Sequence, residues 1–296
     1  MIALEFTSDA ARFLAAAGDH LAADPVLNTV VTANAHRPRS WPADGPPRHF
    51  WWLVVRDGSG AVVGAGMRTA PDPPYALYLL PMPGDAAVEL ARTLHRRGEE
   101  TLEVNGALPA VQRCAAELAR LTGGRAEPRI HTRLHELGEV TPPAPVPGRL
   151  AAVTEEDIDL VLRWVAAFMG DADEQAGRVR GTGVHARPDR SELLRRIREG
   201  QLWFWLDGAG RPVSLTGATP AVYGVARIAP VYTPPEQRGR GWASNAVAEV
   251  SRRLQSGGAR VCLFTDQANP TSNKIYAALG YRPVVDTANY MIVRDA

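Results

Sequence analysis

The stretch PPEQRGRGWASNAV, residues 234–247, joins two prolines, a bend of alternating arginines and glycines, and a run of small residues typical of a helix start. The first N–H groups of a helix have no partner within the helix, and together with the helix dipole they attract phosphate. Gly239 and Gly241 can adopt positive φ and allow a ligand to approach the backbone. The arginines add positive charge. The stretch therefore predicts a phosphate-binding turn, with a solvated connector as the alternative.

The chain shows one order of predicted elements twice. A hairpin pattern at 49–69 recurs at 201–219, and each is followed by an extended stretch, a helix, a short strand and a second helix. This period near 150 residues predicts duplication of one α/β domain, against a chance likeness of two α/β domains. The proline-rich segment VTPPAPVPGR at 140–149 separates the copies and predicts an extended linker.

The two copies differ where the extended stretch meets the following helix. The first copy has LLPMPGDAAVE at 79–89, which places Asp85 in the first helical turn. Negative charge at that position repels an anion. Only the second copy is therefore predicted to bind phosphate.

The arginine-glycine bend resembles a signature of the GCN5-related N-acetyltransferases (GNATs). Residues 238–243, RGRGWA, fit the pattern Q/R-x-x-G-x-G/A, which in that family grips the pyrophosphate of acetyl-coenzyme A. The segment RVRGTG at 178–183 also fits, but it follows an acidic segment and leads into VHARP, which is a poor helix start. The strand-to-helix context therefore favours the match at 238–243.

A second segment, ANPTSNKIYAALGYRPV at 268–284, resembles the end of the fifth GNAT strand and the helix that follows it. Asn269 before Pro270 predicts the start of this helix, and Gly280 predicts its end. Tyr276 then lies near the middle of the helix. In the family a tyrosine at this place donates a proton to the departing thiolate of coenzyme A, whereas its structural alternative is packing.

The resemblance implies an acetyl-coenzyme A site in the second half of the chain. The pantetheine arm is expected along the backbone of Val231, Tyr232 and Thr233, with Asn269 and Asn273 on its other side. Tyr276, with an ordinary pKa of about 10, is the expected proton donor. The residues expected to hold the pyrophosphate are Gln237, Arg238, Gly239, Arg240, Gly241, Trp242, Ala243 and Ser244.

The general base is less well defined by the sequence. GNATs often carry a glutamate on the fourth strand, but YGVARIAPVY at 223–232 has no carboxylate. Asp266, near the end of the fifth strand, is the best candidate; a water relay, or a turn-capping role for Asp266, is the alternative. The acidic run GDADE at 170–174 either attracts a cationic amine or is a solvated helix end. Four nearby aromatic residues are expected in the core: Trp164, Phe168, Trp203 and Trp205.

Composition argues against several other classes of function. The 33 basic residues balance 32 acidic ones, and the net charge of +1 gives no overall attraction for nucleic acid or a membrane surface. Cys114 and Cys262 have neither metal-ligand nor redox spacing, and the seven histidines form no metal pattern, so no metal is predicted. The chain starts without a signal-peptide pattern and has no apolar stretch of membrane-spanning length, so we expect a cytoplasmic protein.

These observations predict an α/β (α+β) protein with two tandem GNAT-like domains, each a mixed, mostly antiparallel sheet flanked by helices. Residues 1–139 form a degenerate copy without an acetyl-coenzyme A loop, 140–148 a linker, and 149–296 the catalytic copy. The predicted activity moves an acetyl group from acetyl-coenzyme A to a small or amino-acid-like amine. The alternatives are a longer acyl donor, a thiol-metabolite amine, or a non-catalytic acyl-coenzyme A-binding module. The sequence leaves the oligomeric state open, and a monomer is compatible with it because the domain is already duplicated.

Overall fold

The computed structural model describes residues 2–37, 49–69, 76–175, 179 and 189–294. The chain divides into two compact units, Met1–Arg133 with Val285–Ala296, and Leu134–Val284. The division differs from the one placed at the proline-rich segment. That segment lies inside the second unit, and the last residues of the chain belong with the first unit.

The first unit contains a sheet in which β1 to β5 are neighbours in chain order. All of these pairs are antiparallel except β4 with β5, which is parallel. The elements up to the unit boundary are β1 (Ala3–Thr7), α1 (Ala10–Ala23), α2 (Thr29–Ala35), β2 (Trp51–Arg56), β3 (Val62–Arg68), β4 (Leu77–Leu79), α3 (Gly84–Arg96), β5 (Glu103–Ala107), α4 (Ala110–Thr122) and β6 (Gly124–Leu137).

The second unit repeats this plan. Its strands β7 to β11 are again neighbours in chain order, and only β10 with β11 is parallel. The remaining elements are β7 (Arg149–Ala152), α5 (Ile158–Gln175), α6 (Arg190–Arg198), β8 (Leu202–Leu206), β9 (Pro212–Ala218), β10 (Val225–Tyr232), α7 (Trp242–Ser256), β11 (Arg260–Asp266), α8 (Pro270–Ala278) and β12 (Tyr281–Arg294).

The last strand, β12, begins in the second unit and ends in the first. Its later residues pair antiparallel with β5, with Thr287 opposite Ala107 and Met291 opposite Glu103. The sheet of the first unit is thus extended by the carboxyl-terminal residues of the chain.

The two hairpins use the same turn chemistry. In the first, Asp57 Oδ1 accepts hydrogen bonds from the backbone N–H groups of Ser59 (2.9 Å) and Ala61 (3.1 Å). In the second, Asp207 Oδ1 accepts from those of Ala209 and Arg211, both at 2.9 Å. The predicted duplication therefore extends from element order to turn chemistry.

Each unit has apolar clusters on both faces of its sheet. In the first unit, one cluster joins Trp51 to helices α3 and α4, and another stacks Trp52 on Phe13 of α1. In the second unit, one cluster surrounds α7 and the other contains Val161 of α5. Adjacent strand residues such as Trp51 and Trp52 bury on opposite faces because strand side chains alternate. The four aromatic residues expected in the core, Trp164, Phe168, Trp203 and Trp205, belong to or pack against the clusters of the second unit.

Candidate active site

The parallel strands of the second unit pair only over their first residues. The register of β10 with β11 runs from Val225–Arg260 to Arg227–Cys262. Beyond that point β10 continues to Tyr232 and β11 to Asp266, but the two strands no longer pair with each other. The two strands therefore leave an opening between them, with backbone groups of β10 along one side.

A bulge in β10 coincides with this opening. The register of β10 with β9 shifts between Ile228 and Val231, and Ala229 is exposed although its neighbours Ile228 and Pro230 are buried. Arg196 of α6 supports the bulge from outside, since its Nη2 donates to Ala229 O at 2.8 Å and to Ala218 O at 3.4 Å. Neither this helix nor this contact was predicted from the sequence.

The three residues predicted to orient a pantetheine arm, Val231 and Tyr232 in β10 and Thr233 directly after it, do not present equivalent groups. Tyr232 O accepts from Ser214 Oγ at 3.1 Å, and Thr233 O accepts from Arg238 Nε at 3.0 Å. Backbone groups of alternate strand residues point to opposite sides, so those of Val231 face away from β9, towards the opening. Val231 is thus the best placed of the three to pair with a ligand.

The arginine-glycine bend has the geometry of an anion-binding turn. Gly239 and Gly241 have φ of +75° and +81°, and a Cβ on Gly239 would meet no atom within 4 Å. Gly241 is the N-cap of α7, where no side chain caps the helix and no acidic residue lies in the first turn. The N–H groups at the start of α7, from Trp242 to Ser244, are consequently left for a ligand. Gln237 lies earlier, where its N–H donates to Pro234 O at 2.9 Å.

Two buried polar atoms, one at the start of α7 and one on β11, have no hydrogen-bond partner among the described residues. Trp242 Nε1 belongs to the first residue of α7, and Thr265 Oγ1 lies on β11 beyond its last paired residue. Buried polar groups in proteins are nearly always satisfied. Both atoms therefore add to the capacity of this region to bind a polar ligand.

The two arginines of the bend make different contacts, and their role in offsetting phosphate charge stays a prediction. Arg238 Nη2 donates to Asp171 Oδ2 at 2.5 Å, so its charge is already balanced. The hydroxyl of Tyr232 also donates to Asp171 Oδ2, at 3.3 Å. Arg240 is exposed, and its Nη2 donates to the backbone oxygen of Glu236 at 3.3 Å. We call the contacts of Asp171 with Arg238 and Tyr232 the Asp171 brace.

The Asp171 brace also corrects the interpretation of GDADE as a solvated helix end. Asp171 is 6% exposed and Asp173 is 1% exposed. Both residues lie in the last turns of α5. The brace thereby connects α5, the end of β10 and the arginine-glycine bend.

Helix α8 begins as predicted, since Asn269 Oδ1 accepts from Ser272 N at 3.1 Å. Tyr276 packs edge-on against Tyr281, with 5.7 Å between the ring centroids. Burial raises the pKa of the Tyr276 phenol well above its ordinary value, so the expectation of an ordinary pKa was wrong. Asn273 Nδ2 donates to backbone oxygens of the preceding turn, including that of Asn269 at 2.8 Å.

Asp266 ends β11 and shapes the turn that leads into α8. Its Oδ1 accepts from the backbone N–H of Ala268 at 2.9 Å, and its backbone oxygen accepts from Asn269 N at 3.1 Å and Asn273 Nδ2 at 3.0 Å. The turn-capping alternative thus describes the contacts of this residue. Its role as a base stays a prediction.

The proline-rich segment packs on the second unit. Thr141 N donates to Leu279 O at 3.0 Å, and Asn245 Nδ2 donates to Ala144 O at 3.0 Å. Near its end, Pro147 O accepts from Trp205 Nε1 at 3.2 Å. The segment therefore runs past the start of α7 as an ordered strap. The competing match RVRGTG at 178–183 lies outside the described residues, apart from Val179.

The corresponding region of the first unit is closed. There β4 pairs with β5 along its whole length, from Leu77–Val104 to Leu79–Gly106. The strands are in close contact, because a Cβ on Gly106 would lie 2.0 Å from Leu79 O. Asp85 stands in the first turn of α3. The described residues of this unit form neither a strand opening nor an arginine-glycine bend at this place.

The described residues contain no group of metal ligands and no membrane-spanning helix. No three His, Cys, Asp or Glu residues among those described are grouped so that they could hold a metal ion. Within the same part of the chain, every helix is too short or too polar to cross a membrane.

Comparison with known proteins defines the class of this fold. A family model described as FR47-like protein matches residues 210–291. A GCN5-related N-acetyltransferase from Sphaerobacter thermophilus aligns with 98% of this chain and 94% of its own at 16% identity, with a TM-score of 0.58. An acetyltransferase of the GNAT family from Colwellia psychrerythraea covers 98% of both chains at 12% identity, with a TM-score of 0.55. No curated protein sequence matches the chain.

A tandem architecture is found among the solved structures as well. A tandem GNAT protein from the clavulanic acid biosynthesis pathway aligns with 100% of both chains at 17% identity, with a TM-score of 0.52. The chain therefore has the tandem GNAT fold, and the predicted fold class and resemblance are confirmed.

Proposed function

We propose that the second unit is an acetyl-coenzyme A-dependent N-acetyltransferase that acts on a small amine. The observation that carries this proposal is the opening between β10 and β11, which leads to a glycine turn and an uncapped helix start. Among its described residues the first unit has neither the opening nor the glycine turn at the corresponding place, and Asp85 stands in the first turn of its helix α3. We therefore assign it a supporting role, as a degenerate copy.

The residues around the opening fit coenzyme A. The N–H groups at the start of α7 suit a diphosphate, and Arg240 adds a cation for which no carboxylate partner occurs among the described residues. Val231 offers backbone groups to the amides of the pantetheine arm, and Thr265 Oγ1 offers a buried polar atom on the opposite strand. When bound, acetyl-coenzyme A supplies a thioester whose acetyl group passes to the acceptor nitrogen, and the thiol is released.

Tyr276 is the proposed proton donor to the leaving sulfur. Its raised pKa keeps the phenol protonated at every physiological pH. A thiolate that forms in the same desolvated opening is made more basic for the same reason, which favours proton transfer from the phenol to the sulfur.

The acceptor must lose a proton, and the proposed route is a water or Asp266. Asp266 lies at the end of β11, beyond the last residue of β11 that pairs with β10. We favour the water relay because Asp266 Oδ1 is already engaged by the N–H of Ala268. Transfer then requires no covalent intermediate on the protein, and much of the rate comes from holding amine and thioester together. We place the activity in the cytoplasm, where a reduced buried thiol such as that of Cys114 persists.

The test makes the same type of substitution, serine to aspartate, at each end of helix α7 in two separate variants. Ser244→Asp adds negative charge to the first turn of α7, where it favours the helix dipole but repels a diphosphate. Isothermal titration is expected to show at least tenfold weaker acetyl-coenzyme A binding, with no loss of thermal stability. The control, Ser256→Asp, makes the same charge change at the last residue of α7 and should leave affinity unchanged.

Two results would count against the proposal. Equal affinities of the two variants would show that the start of α7 is not the diphosphate site. Release of coenzyme A thiol, followed with a thiol reagent across primary amines, amino acids and polyamines, tests catalysis directly. A protein that binds acetyl-coenzyme A and acetylates none of them is a binding module instead.

A further inference from the structure

One arginine of the second unit has no role in the features described so far. Arg227 lies in the middle of β10, in a strand whose other residues are uncharged. Its side chain is partly buried, and Nη1 is shielded from solvent without a hydrogen-bond partner among the described residues. No ion pair or side-chain hydrogen bond of Arg227 occurs there. A solvent-shielded guanidinium nitrogen without a partner is costly, so this position requires an explanation.

The side chain of Arg227 projects from the face of the sheet opposite α7. Its neighbour in the strand, Ile228, packs in the cluster around α7, and successive strand residues point to opposite faces. Its register partner Cys262 likewise alternates with Val261 and Leu263, which both pack in that cluster. Arg227 therefore shares the sheet face on which α5 packs, which lies opposite the helix proposed to hold the diphosphate.

Arg227 also marks the start of the opening. Arg227–Cys262 is the last paired position of β10 with β11, and the exposed Ala229 follows two residues later. An acceptor that approaches a thioester held along Val231 from the α5 face reaches this part of β10. The guanidinium is thus placed beside the acceptor and away from the diphosphate turn.

We propose that Arg227 binds a carboxylate of the acceptor, which makes the acceptor an amino acid or another amine that carries a carboxylate. A planar guanidinium pairs with a carboxylate through two parallel hydrogen bonds, and such a pair satisfies a shielded nitrogen. The carboxylate fixes the acceptor, while its amine is left to reach the thioester. This inference rests on the proposed acyl transfer and names the acceptor class of that site.

Two other arginines of the second unit, in contrast, already have partners. Arg196 donates to the backbone oxygens of Ala218 and Ala229, and Arg238 is neutralised by Asp171. In the first unit, the corresponding strand β4 consists of Leu77, Tyr78 and Leu79, without any charge. An arginine in this strand thus occurs in the unit that also has the opening.

The experiment measures the melting temperature of the full chain with product analogues. The probes are N-acetylglycine, N-acetylalanine and N-acetylglutamate, each compared with N-methylacetamide, which has the amide but no carboxylate. Arg227→Met removes the guanidinium and keeps an apolar side chain of similar length. The matched control is Arg282→Met, because Arg282 is exposed and has no ion pair among the described residues.

We expect at least one N-acetyl amino acid at millimolar concentration to raise the Tm of the wild type and of Arg282→Met by about 1–2 °C. The same N-acetyl amino acid should not raise the Tm of Arg227→Met. N-methylacetamide should not change the Tm of the wild type or of either variant. Without ligand, Arg227→Met should melt no lower than Arg282→Met, because it removes a shielded charge that lacks a partner. In turnover assays, Arg227→Met should have a kcat/KM at least tenfold lower than that of the wild type for the carboxylated amine. For the same amine without its carboxylate, the two proteins should have equal kcat/KM.

The carboxylate proposal is overturned if no N-acetyl amino acid raises the Tm of the wild type, or if the rise persists in Arg227→Met. A clear fall in the Tm of ligand-free Arg227→Met also overturns it, because the arginine would then be structural. Every probe is measured with and without coenzyme A. If coenzyme A alone does not raise the Tm, the acyl-transfer proposal is wrong. The carboxylate probes then still test the role of Arg227 separately.

Discussion

The Asp171 brace gives a prediction whose size follows from its burial. Removing one partner of a fully buried ion pair costs about 3–5 kcal/mol. The Asp171 side chain is 9% exposed but that of Arg238 is 37% exposed, so solvent screens part of the interaction. We therefore expect Asp171→Asn to lower the free energy of unfolding by about 1–2 kcal/mol. For a unit of this size, this corresponds to a fall in Tm of about 3–6 °C.

Helix α5 provides its own control. Asp159 pairs with Arg190 at 2.6 Å, but these side chains are 72% and 55% exposed. Asp159→Asn removes the same charge from the same helix and should cost less than about 0.5 kcal/mol. Urea denaturation of both variants and the wild type gives the comparison.

The brace has a second measurable effect on ligand binding. Arg238 Nε donates to Thr233 O, so loss of Asp171 loosens both the end of β10 and the arginine-glycine bend. Acetyl-coenzyme A should bind about tenfold more weakly to Asp171→Asn, about 1.4 kcal/mol, and equally well to Asp159→Asn. Equal stability losses in the two variants would refute the assignment of Asp171 as a buried brace.

Three further predictions follow from single groups. Tyr276→Phe should lower kcat by about 10²–10⁴-fold with unchanged acetyl-coenzyme A affinity; because burial raises the pKa of Tyr276, the wild-type rate should show no alkaline loss from this phenol up to about pH 10. A variant with wild-type kcat would remove Tyr276 from the mechanism. Arg240→Ala should weaken acetyl-coenzyme A binding and reduce its salt dependence, which titrations at two ionic strengths check; an unchanged salt dependence would contradict this. Burial also raises the pKa of Glu103 above its unfolded value, so the stability that this group contributes is complete below about pH 4 and is lost as the pH rises through the folded pKa. The free energy of unfolding of Glu103→Gln, relative to that of the wild type, should therefore rise between about pH 4 and pH 8. Urea denaturation at these two pH values measures the difference, and a difference that does not change with pH would refute the prediction.

Local chemistry made much of this structure predictable from the sequence. The hairpins and α8 carry their own signals: Asp-Gly turns in the hairpins, and in α8 Asn269 at the N-cap with Pro270 after it. The helix start at Gly241 was equally visible because two glycines and small residues meet there. Such signals lie within a few residues of the feature that they determine.

Contacts between residues far apart in the chain could not be predicted from the sequence, because no local pattern indicates them. Nothing near Asp171 indicates that Arg238, 67 positions away, neutralises it, so its acidic run suggested a solvated helix end. The proline-rich segment shows its extended character but not the contacts with Asn245 and Trp205 that fix it as a strap. Arg227 did leave a signal, since a charge within an otherwise uncharged strand is unusual.

The pairing of β12 with β5 determines when the first unit can be completed. During synthesis on a ribosome, β5 emerges long before Thr287, its partner across Ala107, has been made. The exposed edge of β5 is then available to other chains, as unpaired strand edges are in general. A polypeptide that terminates early would keep that edge open permanently. Deletion of only the last twelve residues should therefore cause aggregation of a unit whose sheet and core need β12 residues such as Ala288 and Tyr290, encoded at the far end of the gene.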